Sequence, residues 1–376
     1  MTAPRIVFFS GGSALKNLAR TLAARYPFTA HLVAAFDSGG STAALRKAFA
    51  IPAVGDLRNR LLALADPEWI SEDIRALWNT RIARDVSPGR AREELLRYGS
   101  SLAPPWQAIG AEASRMPLRC LRQFFQRMPP DFDARGACLG NLFIAGAYLE
   151  FNRDFLPVLS LFHQYLRVRG AALPIVDSNL HLGAILKDGS PVIGQHLFKS
   201  LPSPVRSLFL TVHETSLALE EDPVACRPAV FPEAADFIRR GKAVVFPMGS
   251  FYSSIVSNLI PKGVGEAVAS SRGAKIFIPN SGRDPELAGL DIPGQARVIL
   301  DTLRADAPDA PTERLLQYVL IDDKRGVYPG GYGKSVERRL AELGVAPIYR
   351  EMISEGDPSR HDPAAILNVL RELAER

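Results

Sequence analysis

Short apolar runs alternate with amphipathic stretches along most of this chain, and several runs stop at loops rich in glycine and serine. Ile6–Phe9 is uninterrupted apolar, the pattern of a strand buried on both faces, and Leu15, Leu18, Ala19 and Leu22 follow at helical spacing. A second strand is expected over Leu32–Phe36. A second helix opens at Gly55-Asp56 and carries Leu57, Leu61, Leu62 and Leu64. Strand, helix, strand, helix predicts a parallel, doubly wound sheet. The rhythm resumes at Pro232 with helix Glu233–Arg240, strand Ala243–Met248, a helix around Gly263–Ser270 and strand Lys275–Ile278. Helix Gly294–Ala305, strand Tyr318–Ile321, helix Val336–Leu343, strand Pro347–Tyr349 and a terminal helix over Pro363–Arg376 complete it.

Two stretches depart from this rhythm. Residues 66 to about 135 lack strand-like runs and are rich in Arg, Trp and Pro, which predicts a helical insertion. A helix then starts near Gly140-Asn141 and carries Leu142, Phe143, Ala145, Gly146 and Leu149. Residues 172–214 hold shorter runs, Leu173–Val176, His181–Leu186, Val192–Ile193 and Ser207–Val212, with Asp188-Gly189 as a hairpin turn. This section is expected as a β-hairpin region outside the wound pattern. The expected fold is therefore α/β: one domain over residues 1–376, Rossmann-like, with a doubly wound, mainly parallel sheet, a helical insertion at about 66–135 and a β-hairpin region.

Composition narrows the class. At 376 residues and 47% hydrophobic content, the chain has ample material for a large core. Only four apolar residues, Ile6–Phe9, lie between Arg5 and Ser10, and no run of about 18 apolar residues occurs, so a cytoplasmic protein without a membrane partner is expected. Cys120, Cys138 and Cys226 fit neither a disulfide framework nor zinc spacing. The net charge of +5 is mild. Arginines concentrate between Arg81 and Arg127, but Glu68, Glu72, Asp73, Asp85, Glu93 and Glu94 lie among or beside them. Mixed-charge helix faces fit better than a nucleic-acid patch.

The candidate chemistry sits at the loops. Ser10-Gly11-Gly12-Ser13, Asp37-Ser38-Gly39-Gly40-Ser41 and Gly249-Ser250-Phe251-Tyr252-Ser253-Ser254 each follow an apolar run. Glycine lets backbone N–H groups turn toward an anion, and a helix beginning just beyond adds the positive end of its dipole. Three such loops predict one phosphate-binding crevice, with Asn258 adding a donor beyond the third. Asp37 beside an N–H-rich loop can hold Mg²⁺ on a pyrophosphate, or simply cap a helix. Asp56 is a second carboxylate or a cap. Arg58 and Asn59, one turn further, can reach a phosphate or a nucleobase. Asn141 is a cap or a ligand contact at a helix start. A dehydrogenase would need GxGxxG, which Ala14 and Lys16 break. His181, His196 and His213 lack metal-ligand spacing. Tyr328-Pro329-Gly330-Gly331-Tyr332-Gly333-Lys334 reads as a loop or a mobile lid.

At these residues the chain resembles the CofD superfamily, which joins 2-phospho-L-lactate transferases to YvcK-type, gluconeogenesis-factor-like proteins. Six segments match in register: Gly11-Gly12-Ser13-Ala14, Asp37 through Arg46, Gly55-Asp56-Leu57-Arg58-Asn59 with Leu62-Ala63-Leu64-Ala65, Gly140-Asn141-Leu142, Met248 through Leu259, and Asn280 through Glu286. The resemblance implies a Rossmann-like fold binding a nucleotide diphosphate conjugate, GDP- or UDP-linked. The transferase branch moves a phospholactyl-type group, with Mg²⁺, onto a deazaflavin alcohol in coenzyme F-420 biosynthesis; the other branch binds nucleotide sugars and regulates carbon use and the cell envelope. On this resemblance Asp37 and Asp56 are the expected catalytic carboxylates, and Asp37 the expected metal ligand. Gly11, Gly12, Ser13, Gly39, Gly40, Ser41, Arg58, Asn59, Gly140, Asn141, Gly249, Ser250, Tyr252, Ser254, Asn258 and Asn280 are the expected ligand contacts. The chain departs from the pattern at Ser38, where the family has a second aspartate, and at Ala14 and Ala43. Two readings stay open: a CofD-type transferase, and a nucleotide-sugar sensor. The expected ligand is a small nucleotide, and a homodimer is left open.

Overall fold

The computed structural model describes residues 5–11, 15–215 and 225–375. Seven strands form one sheet: β1 (Ile6–Ser10), β2 (Thr29–Val33), β3 (Ala171–Pro174), β7 (Ala243–Phe246), β8 (Ala274–Phe277), β9 (Tyr318–Ile321) and β10 (Ala346–Tyr349). Every pairing is parallel, in the order β10-β9-β8-β7-β1-β2-β3. Winding proceeds outward from β1 in one direction through β2 and β3, then in the other from β7 to β10. The switch point lies between β1 and β7. Three further strands, β4 (His181–Leu186), β5 (Pro191–Ile193) and β6 (Val205–Thr211), make a small antiparallel sheet in the order β5-β4-β6.

Alternation along β1 explains the layering. Ile6 and Phe8 join an apolar cluster with Leu18 and Leu22 and with Ile366 and Leu370 of the terminal helix Pro363–Glu375. Val7 and Phe9 join the larger cluster on the opposite face, which extends into Trp78, Trp106 and Phe124 of the expected insertion. That insertion is helical: α4 (Glu72–Asn79), α5 (Pro88–Arg97) and α6 (Pro104–Arg127) follow α1 (Lys16–Arg25), α2 (Gly40–Phe49) and α3 (Gly55–Leu64). The side chains of Ser71 and Ser87 cap α4 and α5, and Pro88 stands in the first turn of α5. Helices α7 (Leu139–Glu150) and α8 (Phe155–Tyr165) lead back to the sheet. Among the described residues no helix is long and apolar enough to cross a membrane.

Three placements differ from the sequence reading. The run Leu173–Val176 is not part of a separate hairpin region: β3, at Ala171–Pro174, is the edge strand of the main sheet. Strand β2 ends at Val33, so Ala34, Ala35 and Phe36 are buried loop, an apolar run that continues past the ladder. The second glycine loop starts a helix of its own, α2, that the chain's spacing did not announce.

Candidate functional site

Ligand crevices in doubly wound sheets open beyond the carboxyl ends of the strands at the switch point. Here the loops after β1 and β7 meet there directly. A Cβ added to Gly11 would fall 2.1 Å from both Cβ and Oγ of Ser254, so the approach requires glycine. Arg60, buried in α3, donates to the Gly11 carbonyl at 2.8 Å and to the Leu15 carbonyl at 3.2 Å. It thereby spans the first loop, whose Gly12 and Ser13 lie outside the described residues. Asn258 donates through Nδ2 to the Ser10 carbonyl at 3.1 Å and to the Ser254 carbonyl at 2.7 Å, stitching the third loop to β1. Asn280 clamps Gly249 from both sides, accepting from its N–H at 2.9 Å and donating to its carbonyl at 2.6 Å. Asn258 and Asn280 thus build the crevice wall without being among the residues that line it.

Three consecutive N–H groups of the third loop are already engaged by carboxylates. Phe251 N donates to Asp284 Oδ2 at 3.0 Å, and Tyr252 N and Ser253 N each donate to Glu286 Oε2 at 2.8 Å. The Ser253 hydroxyl completes the set on Glu286 Oε1. An internal carboxylate therefore occupies the position expected for a phosphate. Burial pushes the Glu286 carboxyl up from its ordinary range, and the Ser253 bonds pull the other way. The Tyr252 side chain turns from the crevice and lines a separate groove with β6. Gly249, Ser250 and Ser254 remain on the crevice wall.

Asp37 stands past the end of β2, where its Oδ1 accepts from Gly39 N at 3.0 Å. Its carbonyl receives Arg46 Nη1 at 3.1 Å; the same buried guanidinium holds Asn179 Oδ1 and the Leu180 carbonyl, fastening this loop to the entrance of β4. A Cβ at Gly55 would lie 3.0 Å from Asp37 Oδ2, so glycine lets the start of α3 close on this carboxylate. Asp56 is the next residue. Removal from water, followed by the charge of Asp37, raises its carboxyl to about 7, against the opposing pull of Arg60 and Arg58. Ser38 Oγ is hydrogen-bonded to His196 Nδ1 at 2.9 Å, where the resemblance implies a second aspartate.

Two chambers meet at Asp37, Gly39 and Asp56. The first, about 350 Å³, is lined by Gly11, the third loop, Glu286, and His196 and Lys199 from the short helical turn Gln195–Ser200. The second, about 240 Å³, holds Gly40, Ser41, Arg58, Asn59 and Asn141 together with Arg81 and Arg84. Ser41 Oγ accepts from Cys138 N at 2.9 Å, which ties α2 to the start of α7. Gly140 is needed for packing: a Cβ there would fall 2.6 Å from Arg58 Cδ and 2.5 Å from the Trp78 carbonyl. Sequence reasoning passed over Arg60, Glu286 as a cap, Lys199, Arg81 and Arg84. The arginine-rich stretch was a signal for the last two; nothing local distinguished Lys199.

Among the described residues no group of three or more His, Cys, Asp or Glu could hold a metal ion. Mg²⁺ is commonly bound by one or two carboxylates plus ligand phosphates, and the two carboxylates at the junction fit that shared arrangement rather than a closed protein cage.

A wound parallel sheet with glycine loops closing on a polar crevice at its switch point defines a Rossmann-like α/β protein with a candidate site at that crevice. The profile of the family described as 2-phospho-L-lactate transferase CofD matches residues 6–338, and the chain belongs to this family. It is 25% identical over 380 residues to the gluconeogenesis factor of Bacillus subtilis (strain 168), covering 98% of each chain. To the gluconeogenesis factor of Halalkalibacterium halodurans it is 27% identical over 379 residues, covering 99% of this chain and 97% of that one. The crystal structure of a UPF0052-family protein from Bacillus halodurans shares the fold, with a TM-score of 0.68 at 22% identity over 98% of this chain and 99% of that one.

Proposed function

We propose that this chain binds a nucleotide diphosphate conjugate, GDP- or UDP-linked, in the first chamber and transfers its phosphate-linked group to an alcohol held in the second. The observation that carries this reading is the meeting of the two chambers at Asp37 and Asp56. Transfer needs donor and acceptor to converge on one reacting centre, and proximity there accounts for much of such catalysis. The acceptor hydroxyl gives its proton to Asp56 as its oxygen bonds to the outer phosphorus. The P–O bond to the inner phosphate breaks, and the nucleoside monophosphate leaves with that oxygen. Lys199, on the first chamber, stands where it can offset charge on the donor's phosphates, while Arg58 lines the second chamber that receives the acceptor. Asp37 is the residue to hold Mg²⁺, which when bound would neutralise phosphate charge.

One observation favours a second reading, a nucleotide-sugar-binding regulator: Ser38 leaves the second loop one carboxylate short, and relatives matching nearly the full length are gluconeogenesis factors. Thermal-shift titration with GDP, UDP and their conjugates, with and without Mg²⁺, separates the two. Transfer predicts Mg²⁺-dependent stabilisation that Asp37→Asn reduces at least tenfold in affinity. Stabilisation by UDP-sugars indifferent to Mg²⁺ and to Asp37→Asn would sink transfer in favour of the regulator, and no shift with any nucleotide would sink both.

A further inference from the structure

Arg81 and Arg84 come from the link between α4 and α5, a stretch outside the matched segments, yet they close the second chamber. Arg84 is pinned from two sides. Its stem lies on Gly136, where an added Cβ would fall 2.6 Å from Nε, and its Nη2 is 3.1 Å from a Cβ built at Gly40. The guanidinium therefore sits over the start of α2, a ten-residue helix with no acidic residue in its first turn and no side-chain cap. Arg81 is held by the Gly136 carbonyl at 3.3 Å, and Arg58 by Asn79 Oδ1 at 2.6 Å. None of these three arginines forms an ion pair with a carboxylate among the described residues.

Three guanidinium groups and the positive end of a helix converge on about 240 Å³, room for a compact oxyanion. The carboxylates Asp37 and Asp56 stand only at the edge shared with the first chamber. We infer that the second chamber is a phosphate-class anion subsite for the second molecule, held by Arg81 and Arg84 with Arg58, so that the acceptor carries an anionic group beside its hydroxyl. As a statement about the acceptor this rests on the transfer reading above; as an anion site it stands alone. The helical insertion then has a role: it brings the arginines that select the acceptor.

Inorganic phosphate is the probe, titrated calorimetrically into the full chain at constant ionic strength, with and without saturating GDP or UDP. Binding is expected in both conditions, weakened at least tenfold by Arg81→Ala/Arg84→Ala and by less than about threefold by Arg84→Lys, which keeps the charge. Both arginines are exposed, so the fold should tolerate the change, with circular dichroism as the check. A phosphate isotherm unchanged in the double variant overturns the inference. So does loss of phosphate binding when nucleotide is present, because the chamber would then hold the nucleotide's own diphosphate. Arginine-dependent phosphate binding with no nucleotide binding would leave the anion site standing and remove the proposed function.

Discussion

Glu286 shows how one side chain can change the meaning of a loop. Glycine and serine after β7 read as an anion cradle, and they are one, but the anion is supplied by the chain itself. The signal was present only as a glutamate some 30 residues downstream, inside a segment noted for its resemblance rather than for any physical reason. Replacing it tests the assignment. Glu286→Ala leaves the buried N–H groups of Tyr252 and Ser253 without their acceptor, at roughly 1–3 kcal/mol for each unmade bond. Urea unfolding should show a loss of about 2 kcal/mol or more; a loss below about 0.5 kcal/mol would mean the carboxylate does not hold the loop. Asp37, Asp56 and Arg58 were recognisable as polar residues at helix starts. Whether each caps a helix or faces a ligand depends on neighbours far away in sequence.

At the scale of elements, the crevice depends on how closely two loops approach. Strand β1 and the turn Phe251–Ile255 touch through Gly11 and Ser254, without space for one methyl group between them. Gly11→Ala should destabilise the protein by about 1–3 kcal/mol, the usual cost of overpacking, and weaken nucleotide binding with it. Ser254→Gly removes the atoms that collide, leaving Ser254 Cα as the next neighbour at 3.1 Å. The double variant should regain at least half of the lost stability in a double-mutant cycle. Simple additivity of the two losses would show that the contact is not the cause. Most elements themselves were readable: apolar runs of four or five residues and helical periodicity placed nearly every wound strand and helix within a few residues. Helix α2 was not, because its first turn is Gly40-Ser41-Thr42, whose residue types favour loops when seen alone.

Across the whole molecule, buried titrating groups set how the fold responds to acid. Burial lowers His31 well below the ordinary histidine range and takes His181 and His361 to about 4. The unfolded chain then binds more protons than the folded one between about pH 6.5 and pH 4, so this contribution is complete above that window and lost as pH falls through it. Asp56 opposes it, since a carboxyl raised to about 7 holds its proton in the folded state at pH values where the unfolded chain has released it. In buffer free of divalent ions, the fall in melting temperature from pH 7 to pH 4.5 should shrink in His361→Gln and grow in Asp56→Asn. Equal falls in both variants and in the parent would contradict the assignment. By itself the sequence determined the wound α/β class, the helical insertion and the places where loops follow strands, because periodicity and glycine act over neighbouring residues. Tertiary structure alone decided that β3 joins the main sheet, that Glu286 fills the third loop, that Arg84 reaches across to Gly40, and that Arg81 joins it on the second chamber. Those outcomes depend on contacts between segments tens of residues apart, which no local pattern encodes.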